Sequence, residues 1–252
     1  MAVINGTSGP DVIARGEVNE AGELFDLSGD DFIAGWSGAD FLAGDLGADI
    51  IYGVEGGDVI YGDVAEEVVS QSGPWLGGAD KLYGQNGNDV IYGGLARDIL
   101  DGGSGDDRLT GDGVSWVSER SLEYPLGSGD VIRGEDGNDR IEGGVGADTL
   151  YGGAGADTFL YQYFFKVSEY GYEEDIFDTG VGAGNRDVIK DFEVGVDKIS
   201  FEPSFNDLEI TIDNYKPGWA MIKIDMDGDT KTDAQIQVYT GSATLTFDDL
   251  LL

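Results

Sequence analysis

The chain has 252 residues, of which 43 are glycine, 50 acidic and 14 basic, with no cysteine and no histidine, giving a net charge of −36. Without cysteine there are no disulfide staples, thiolate metal sites or cysteine nucleophiles, and without histidine there is no HExxH zinc motif and no Ser-His-Asp arrangement. The anionic excess argues against nucleic acid and anionic membranes as partners, because phosphate binding rests on Lys and Arg releasing counterions, and it calls for bound cations in any compact state.

The opening stretch "MAVINGTSGPDVIARG" has no basic segment followed by an apolar one, and nowhere do 18 apolar residues run together. Neither a cleavable signal nor a transmembrane segment is expected.

From Gly6 onward the chain repeats. Thirteen units align on an aspartate: Asp11, Asp31, Asp40, Asp49, Asp58, Asp80, Asp89, Asp98, Asp107, Asp130, Asp139, Asp148 and Asp157. Two residues after each comes an apolar side chain (Ile13, Ile33, Leu42, Ile51, Ile60, Leu82, Ile91, Leu100, Leu109, Ile132, Ile141, Leu150, Phe159). Two residues before it stands glycine in eleven units, with Ala96 and Ser128 as the exceptions, and five residues before it stands glycine in ten.

A nine-residue period with one inward apolar residue is incompatible with a helix, which needs apolar residues every three or four positions. It fits a six-residue turn followed by a short strand whose middle side chain points inward. Glycine gives the turn positive φ and lets neighbouring backbones approach closely. The aspartate supplies a hard oxygen ligand beside exposed carbonyls, the donor chemistry of calcium. Two units make one coil of a flattened solenoid, unit n stacking on unit n+2, so stability is expected from stacking and from metal.

These units resemble the RTX nonapeptide GGxGxDxUx, a calcium-binding β-helix repeat. The resemblance implies an all-β fold, a right-handed parallel β-roll, with multiple Ca2+ as cofactor. The thirteen aspartates are then the metal ligands. They are joined by backbone oxygens of Gly6, Gly35, Gly44, Gly53, Gly84, Gly93, Gly102, Gly134, Gly143 and Gly152, and of Gly9, Gly38, Gly47, Gly56, Gly87, Gly105, Gly137, Gly146 and Gly155.

Inserted loops at 17–34, 63–79 and 112–129 stretch units two, six and ten, so they are expected on one edge of the roll. The odd units (Asp11, Asp40, Asp58, Asp89, Asp107, Asp139, Asp157) then form an uninterrupted stack. The even units (Asp31, Asp49, Asp80, Asp98, Asp130, Asp148) are expected to hold an irregular ion ladder, for roughly ten Ca2+ in all. The insertions carry Phe25, Trp75, Trp116 and Tyr124, a candidate ligand surface or a set of plugs over the solenoid edge. Outward tyrosines recur as well, with Tyr52 and Tyr92 expected on one face and Tyr61, Tyr83 and Tyr151 on the other.

A longer insertion spans 161–186, beginning where unit fourteen would start. Beyond it, 187–252 reads as a β cap, with strands in "RDVIKDF", "VDKISF", "LEITI", "AMIKID" and "AQIQVYT". "DVIKDFEVGVDKISF" and the tail ending Asp249-Leu250-Leu251-Leu252 resemble the C-terminal region of serralysin-type proteases, which implies a type I secretion signal, partnership with that secretion machinery and an extracellular or cell-surface location. In "DMDGDTKTD", Asp225, Asp227, Asp229 and Asp233 are candidates for one further calcium, with a polar hairpin turn as the equal alternative.

No catalytic residue is identified. Neither GxSxG nor a Walker-type GK is present, and the resemblance to serralysins stops short of their zinc motif. The expected function is a secreted, non-catalytic calcium-binding module. The alternatives are a polysaccharide-active or accessory protein, with polysaccharide as its partner, and a structural surface-layer or matrix component.

Overall fold

The computed structural model describes residues 3–14, 27, 29–63, 77–94, 96–112, 129–167, 173–177, 185–202, 209–225 and 229–251. Phe25, Trp75, Trp116, Tyr124 and Asp227, and most of the inserted segments, lie outside the described residues. Among the described residues no helix is long and apolar enough to cross a membrane.

The chain is a sequence of short strands. The first ten are β1 (Val3–Asn5), β2 (Val12–Ile13), β3 (Phe32–Ser37), β4 (Phe41–Asp45), β5 (Ile50–Glu55), β6 (Val59–Asp63), β7 (Lys81–Asn86), β8 (Val90–Tyr92), β9 (Ile99–Ser104) and β10 (Arg108–Thr110). There follow β11 (Val131–Asp136), β12 (Arg140–Glu142), β13 (Thr149–Ala154), β14 (Thr158–Val167), β15 (Glu173–Phe177), β16 (Asp187–Ile189), β17 (Lys198–Glu202), β18 (Glu209–Lys216), β19 (Trp219–Asp225), β20 (Ala234–Tyr239) and β21 (Leu250–Leu251).

Successive strands alternate between two sheets. One runs β1-β3-β5-β7-β9-β11-β13-β16-β20-β19-β18 and carries the even units; the other runs β2-β4-β6-β8-β10-β12-β14-β17-β21 and carries the odd units. Pairing within the roll is parallel and in register on the inward residue. Ile33, Ile51, Leu82 and Leu100 are successive Cα partners in the first sheet, and Leu42, Ile60, Ile91 and Leu109 in the second. A parallel β-roll is therefore the fold, with unit n stacked on unit n+2. All thirteen inward side chains are at most 3 % exposed, and they form the single file of apolar residues between the sheets.

One residue in nine buries little area by itself, so the core is continuous only because neighbouring coils share it. At the C-terminal end the core broadens to include Phe159, Tyr161, Phe192 and Phe201. Parallel stacking runs past the glycine period: β16 joins β13, β17 joins β14, and β21 closes the second sheet on β17. In the first sheet β20 adds in parallel, and β19 and β18 then turn antiparallel, burying Ala220, Ile222, Ile224, Ile236 and Val238.

The segments between β2 and β3, β6 and β7, β10 and β11, and β14 and β16 all pass from the odd-unit sheet to the even-unit sheet. The four breaks in the period thus share one edge of the roll. The tyrosines divide differently from expectation: Tyr52, Tyr83 and Tyr151 lie in the even-unit sheet and Tyr61 and Tyr92 in the other. Each tyrosine follows its aspartate by three residues, so the parity of the aspartate decides its sheet. Tyr52 stacks on Tyr83, and Tyr61 on Tyr92, with ring centroids 4.8 Å apart, the spacing of adjacent strands.

Candidate metal-binding edges

Each repeat aspartate enters its strand from a turn, and its side chain folds back over that turn. Its backbone N–H donates to Oδ1 of the aspartate one coil further on. The odd series runs Asp11, Asp40, Asp58, Asp89, Asp107, Asp139, Asp157, Asp197 with N···O distances of 2.7–3.1 Å. The even series runs Asp31, Asp49, Asp80, Asp98, Asp130, Asp148, Asp187 with distances of 2.7–2.8 Å. The aspartate ladder is unbroken on both edges, the insertions notwithstanding.

That ladder occupies one carboxylate oxygen. The other, Oδ2, is buried and receives no hydrogen bond in Asp40, Asp49, Asp58, Asp80, Asp89, Asp98, Asp107, Asp130, Asp139, Asp148 and Asp157. It faces the glycine that opens its own turn and the carbonyl of the equivalent glycine in the next coil. A methyl group on Gly35 would strike Asp40 Oδ2 and lie 2.9 Å from the Gly53 oxygen. At Gly84 it would meet Asp89 Oδ2 and stand 2.6 Å from the Gly102 oxygen. Glycine at this place keeps open a cleft walled by a carboxylate and a carbonyl. The glycine two residues before the aspartate serves stacking: Gly56 has φ +141°, a conformation closed to L side chains, and its missing methyl would overlap the Gly38 carbonyl.

Burial of these carboxylates holds their pKa values high. Asp49, Asp80, Asp107, Asp148 and Asp157 rise to about 7, Asp130 to about 8 and Asp98 to about 9. Asp89 and Asp139 rise to about 6. Desolvation is the main cause, offset in part by the ladder N–H and, for most of these residues, reinforced by the charge of neighbouring aspartates. Stacked buried carboxylates need either protons or cations.

Among the described residues no three acidic side chains gather into a cage. The donors are instead one carboxylate oxygen per turn together with backbone carbonyls, all hard oxygens, repeated along each edge. That set fits Ca2+, which takes six to eight oxygens in flexible geometry. It would be held by the ladder aspartates and the turn glycines, where it supplies the positive charge that the buried oxygens lack.

Asp187 and Asp197 were not among the thirteen aligned aspartates. Both carry the D-x-I signature, in "DVI" and "DKI", yet each keeps only one of the two flanking glycines, Gly182 and Gly195 respectively. At the two ends of this series Oδ2 is engaged within its own turn: Asp11 accepts the Thr7 N–H at 2.5 Å and Asp197 the Glu193 N–H at 2.8 Å. Asp249 is buried in the final turn, accepting from Gly195 N–H at 2.9 Å and from the backbone and hydroxyl of Thr246. In the turn between β19 and β20, Asp225 accepts the Thr230 N–H and Asp229 is paired with Lys231. A second, shallower ladder is made by the residue before the aspartate, in which Asn88, Asp106 and Asn138 each accept the N–H one coil further on.

A family model described as the RTX calcium-binding nonapeptide repeat matches residues 23–51, 44–64, 76–113 and 126–159. Comparison with curated proteins gives no match. Among solved structures the chain is similar to the AlgE6R3 subunit of the Azotobacter vinelandii mannuronan C5-epimerase, at 21% identity over 63% of this chain and 80% of that one, with a TM-score of 0.39. Four segments of this chain thus match the RTX calcium-binding nonapeptide repeat, and they fall on the coils that carry the two unbroken aspartate ladders.

Proposed function

We propose that the chain is an exported module that folds when it binds roughly ten Ca2+ outside the cell and then acts without catalysis as a binding or surface element. The observation that carries this reading is the column of buried, donorless Oδ2 atoms on each edge. Where calcium is scarce those carboxylates repel one another and the chain stays expanded; where calcium is millimolar, mass action drives stacking. The thirteen aspartates and their turn glycines are the ligands in this reading, and Asp225, Asp227, Asp229 and Asp233 are a lesser candidate for one more ion.

Export by a type I route is part of this reading. In the folded chain Asp249 is buried and Leu250 and Leu251 pair with β17. The non-catalytic reading rests on the chemistry of the chain, which lacks histidine and cysteine and commits its repeat aspartates to the ladders.

A second reading, a polysaccharide-retaining or polysaccharide-active protein, is favoured by the outer face of the even-unit sheet. There the Tyr52–Tyr83 stack is followed along the sheet by Arg133 over Tyr151 and Lys190 over Trp219, flat rings with cations on an otherwise acidic molecule. The test is to incubate the calcium-loaded protein with acidic and neutral polysaccharides, with and without chelator, scoring retention and chemical change by NMR. Retention without change supports a binding module, altered sugar overturns the non-catalytic reading, and neither result leaves a structural surface or matrix role.

A further inference from the structure

Each regular unit places one residue directly after its opening glycine, four before the ladder aspartate. On the edge without insertions this position holds Trp36, Val54, Gln85, Gly103, Glu135 and Gly153. Trp36 is 55% exposed there and Gln85 and Glu135 are exposed, while Val54 is half-buried. On the insertion edge the same position holds Asp45, Asp63, Gly94, Asp112 and Gly144, and the three acids are only 5%, 9% and 4% exposed. Two of them, Asp63 and Asp112, directly follow the glycines that open the stretched units.

The surroundings of these acids are specific. Asp45 and Asp63 are register partners on neighbouring parallel strands, which sets two buried carboxylates side by side. Like charges in that arrangement destabilise a sheet unless a cation joins them. Asp63 Oδ1 accepts the Gly78 N–H at 3.1 Å, across the neck of the second insertion. Its Oδ2 lies where a methyl on Gly94 would come within 2.6 Å, and a methyl on Gly144 would come within 2.7 Å of Asp112 Cβ. The glycine in the next coil leaves room beside each acid.

An independent observation points to a ligand at the same place. Asp80, Asp98 and Asp130, the ladder aspartates next to these acids, are at most 1% exposed and their Oδ2 atoms receive no hydrogen bond. Asp80 Oδ2 is aimed at Gly62, immediately before Asp63. In a regular unit the opening glycine and the aspartate are five residues apart, whereas Gly62 and Asp80 are eighteen apart and Gly111 and Asp130 nineteen. The insertion thus falls between the glycine and the aspartate that flank a regular site.

We propose that Asp63 and Asp112 are calcium ligands in their own right, each supplying a carboxylate oxygen where an insertion interrupts the repeat turn, with Asp45 facing Asp63 from the neighbouring strand. They carry the ion series of the even edge past the insertions, in place of the irregular ladder that spacing alone suggests. The inference rests on the calcium reading above. It also explains why acids at this position are buried on one edge and why Glu135, its counterpart on the other, is exposed.

The test is a crystal structure of the full chain grown in calcium, together with equilibrium dialysis of Asp63→Asn, Asp112→Asn, the double variant and Glu135→Gln. Asparagine keeps the Oδ1 acceptor for the Gly78 N–H, so a residue that only closes the loop neck tolerates the change. Expected are ions within about 2.3–2.6 Å of the Asp63 and Asp112 carboxylates, a loss of about two bound ions in the double variant, and no loss in Glu135→Gln. Ions on the ladder aspartates with none at Asp63 or Asp112, or an unchanged ion count in the double variant, overturns the inference and leaves the calcium reading intact. No ions on either edge overturns both. The crystal structure uses the unaltered chain, so it decides even if the double variant fails to fold.

Discussion

Remove calcium with excess chelator at pH 7.5 and the roll is expected to come apart; lower the pH to 5 in the same chelator and β structure is expected to return. The magnitude follows from the most deeply buried rungs. Asp98 has its folded pKa raised to about 9 and Asp130 to about 8, against an ordinary value of 3.8. A group with a raised folded pKa contributes stability that is fully present below its unfolded value and lost as pH rises through its folded value. For these two the window runs from about pH 4 to about pH 8–9. At about 1.36 kcal/mol per pKa unit, either residue costs the metal-free fold about 4 kcal/mol at pH 7, of which about 3 kcal/mol is recovered by acidification to pH 5. A few such rungs outweigh the stability of about 5–15 kcal/mol typical of a whole domain. Calcium and protons are thus alternative ways to neutralise the same oxygens. The assay is far-UV circular dichroism with light scattering across pH 4.5–8, with and without chelator, at low protein concentration because the isoelectric point is near 4.1. A β-rich spectrum in chelator at pH 7.5 that does not change on acidification would refute the reasoning.

Asp98→Asn, which removes the charge and keeps the ladder acceptor, is expected to stabilise the metal-free roll at pH 7 by about 4 kcal/mol while weakening calcium binding; chelator melts and calorimetric titration read the two opposite effects. Gly56→Ala forces a side chain into φ +141° and against the Gly38 carbonyl, so the calcium-loaded protein is expected to lose about 1–3 kcal/mol from the backbone alone, measured by denaturant unfolding in saturating calcium. Ile132→Ala empties a fully buried place in the inward file and is expected to cost about 2–5 kcal/mol; an unchanged midpoint would show that the coil does not depend on that file. Asp249→Ala removes the acceptor for Gly195 and Thr246 and is expected to cost about 2 kcal/mol locally, seen as faster amide exchange at Gly195 and Leu250 with little change in the middle of the roll.

Much of this molecule is written in its period. The spacing of Asp11, Asp40 and Asp58 against Asp31 and Asp49 determines which units stack, because an inward residue every nine positions admits only two faces. The same spacing puts the insertions on one edge, and the D-x-U triplet names both the ladder residue and the core residue of each coil. Asp187 and Asp197 carry that triplet but were hidden by weaker glycine signatures, since in the last coils turn closure is shared with residues such as Asp191 and Glu193. The tertiary structure alone decided which oxygen of each aspartate is engaged. Oδ1 is fixed by an N–H from a residue 18 to 40 positions away, and no local pattern encodes that distance when insertions vary it. It also decided that Asp63 and Asp112 are buried while Glu135, at the equivalent place, is exposed. Burial on a turn edge depends on what the neighbouring coil and the insertion neck place against it, and a one-dimensional repeat carries no record of that contact.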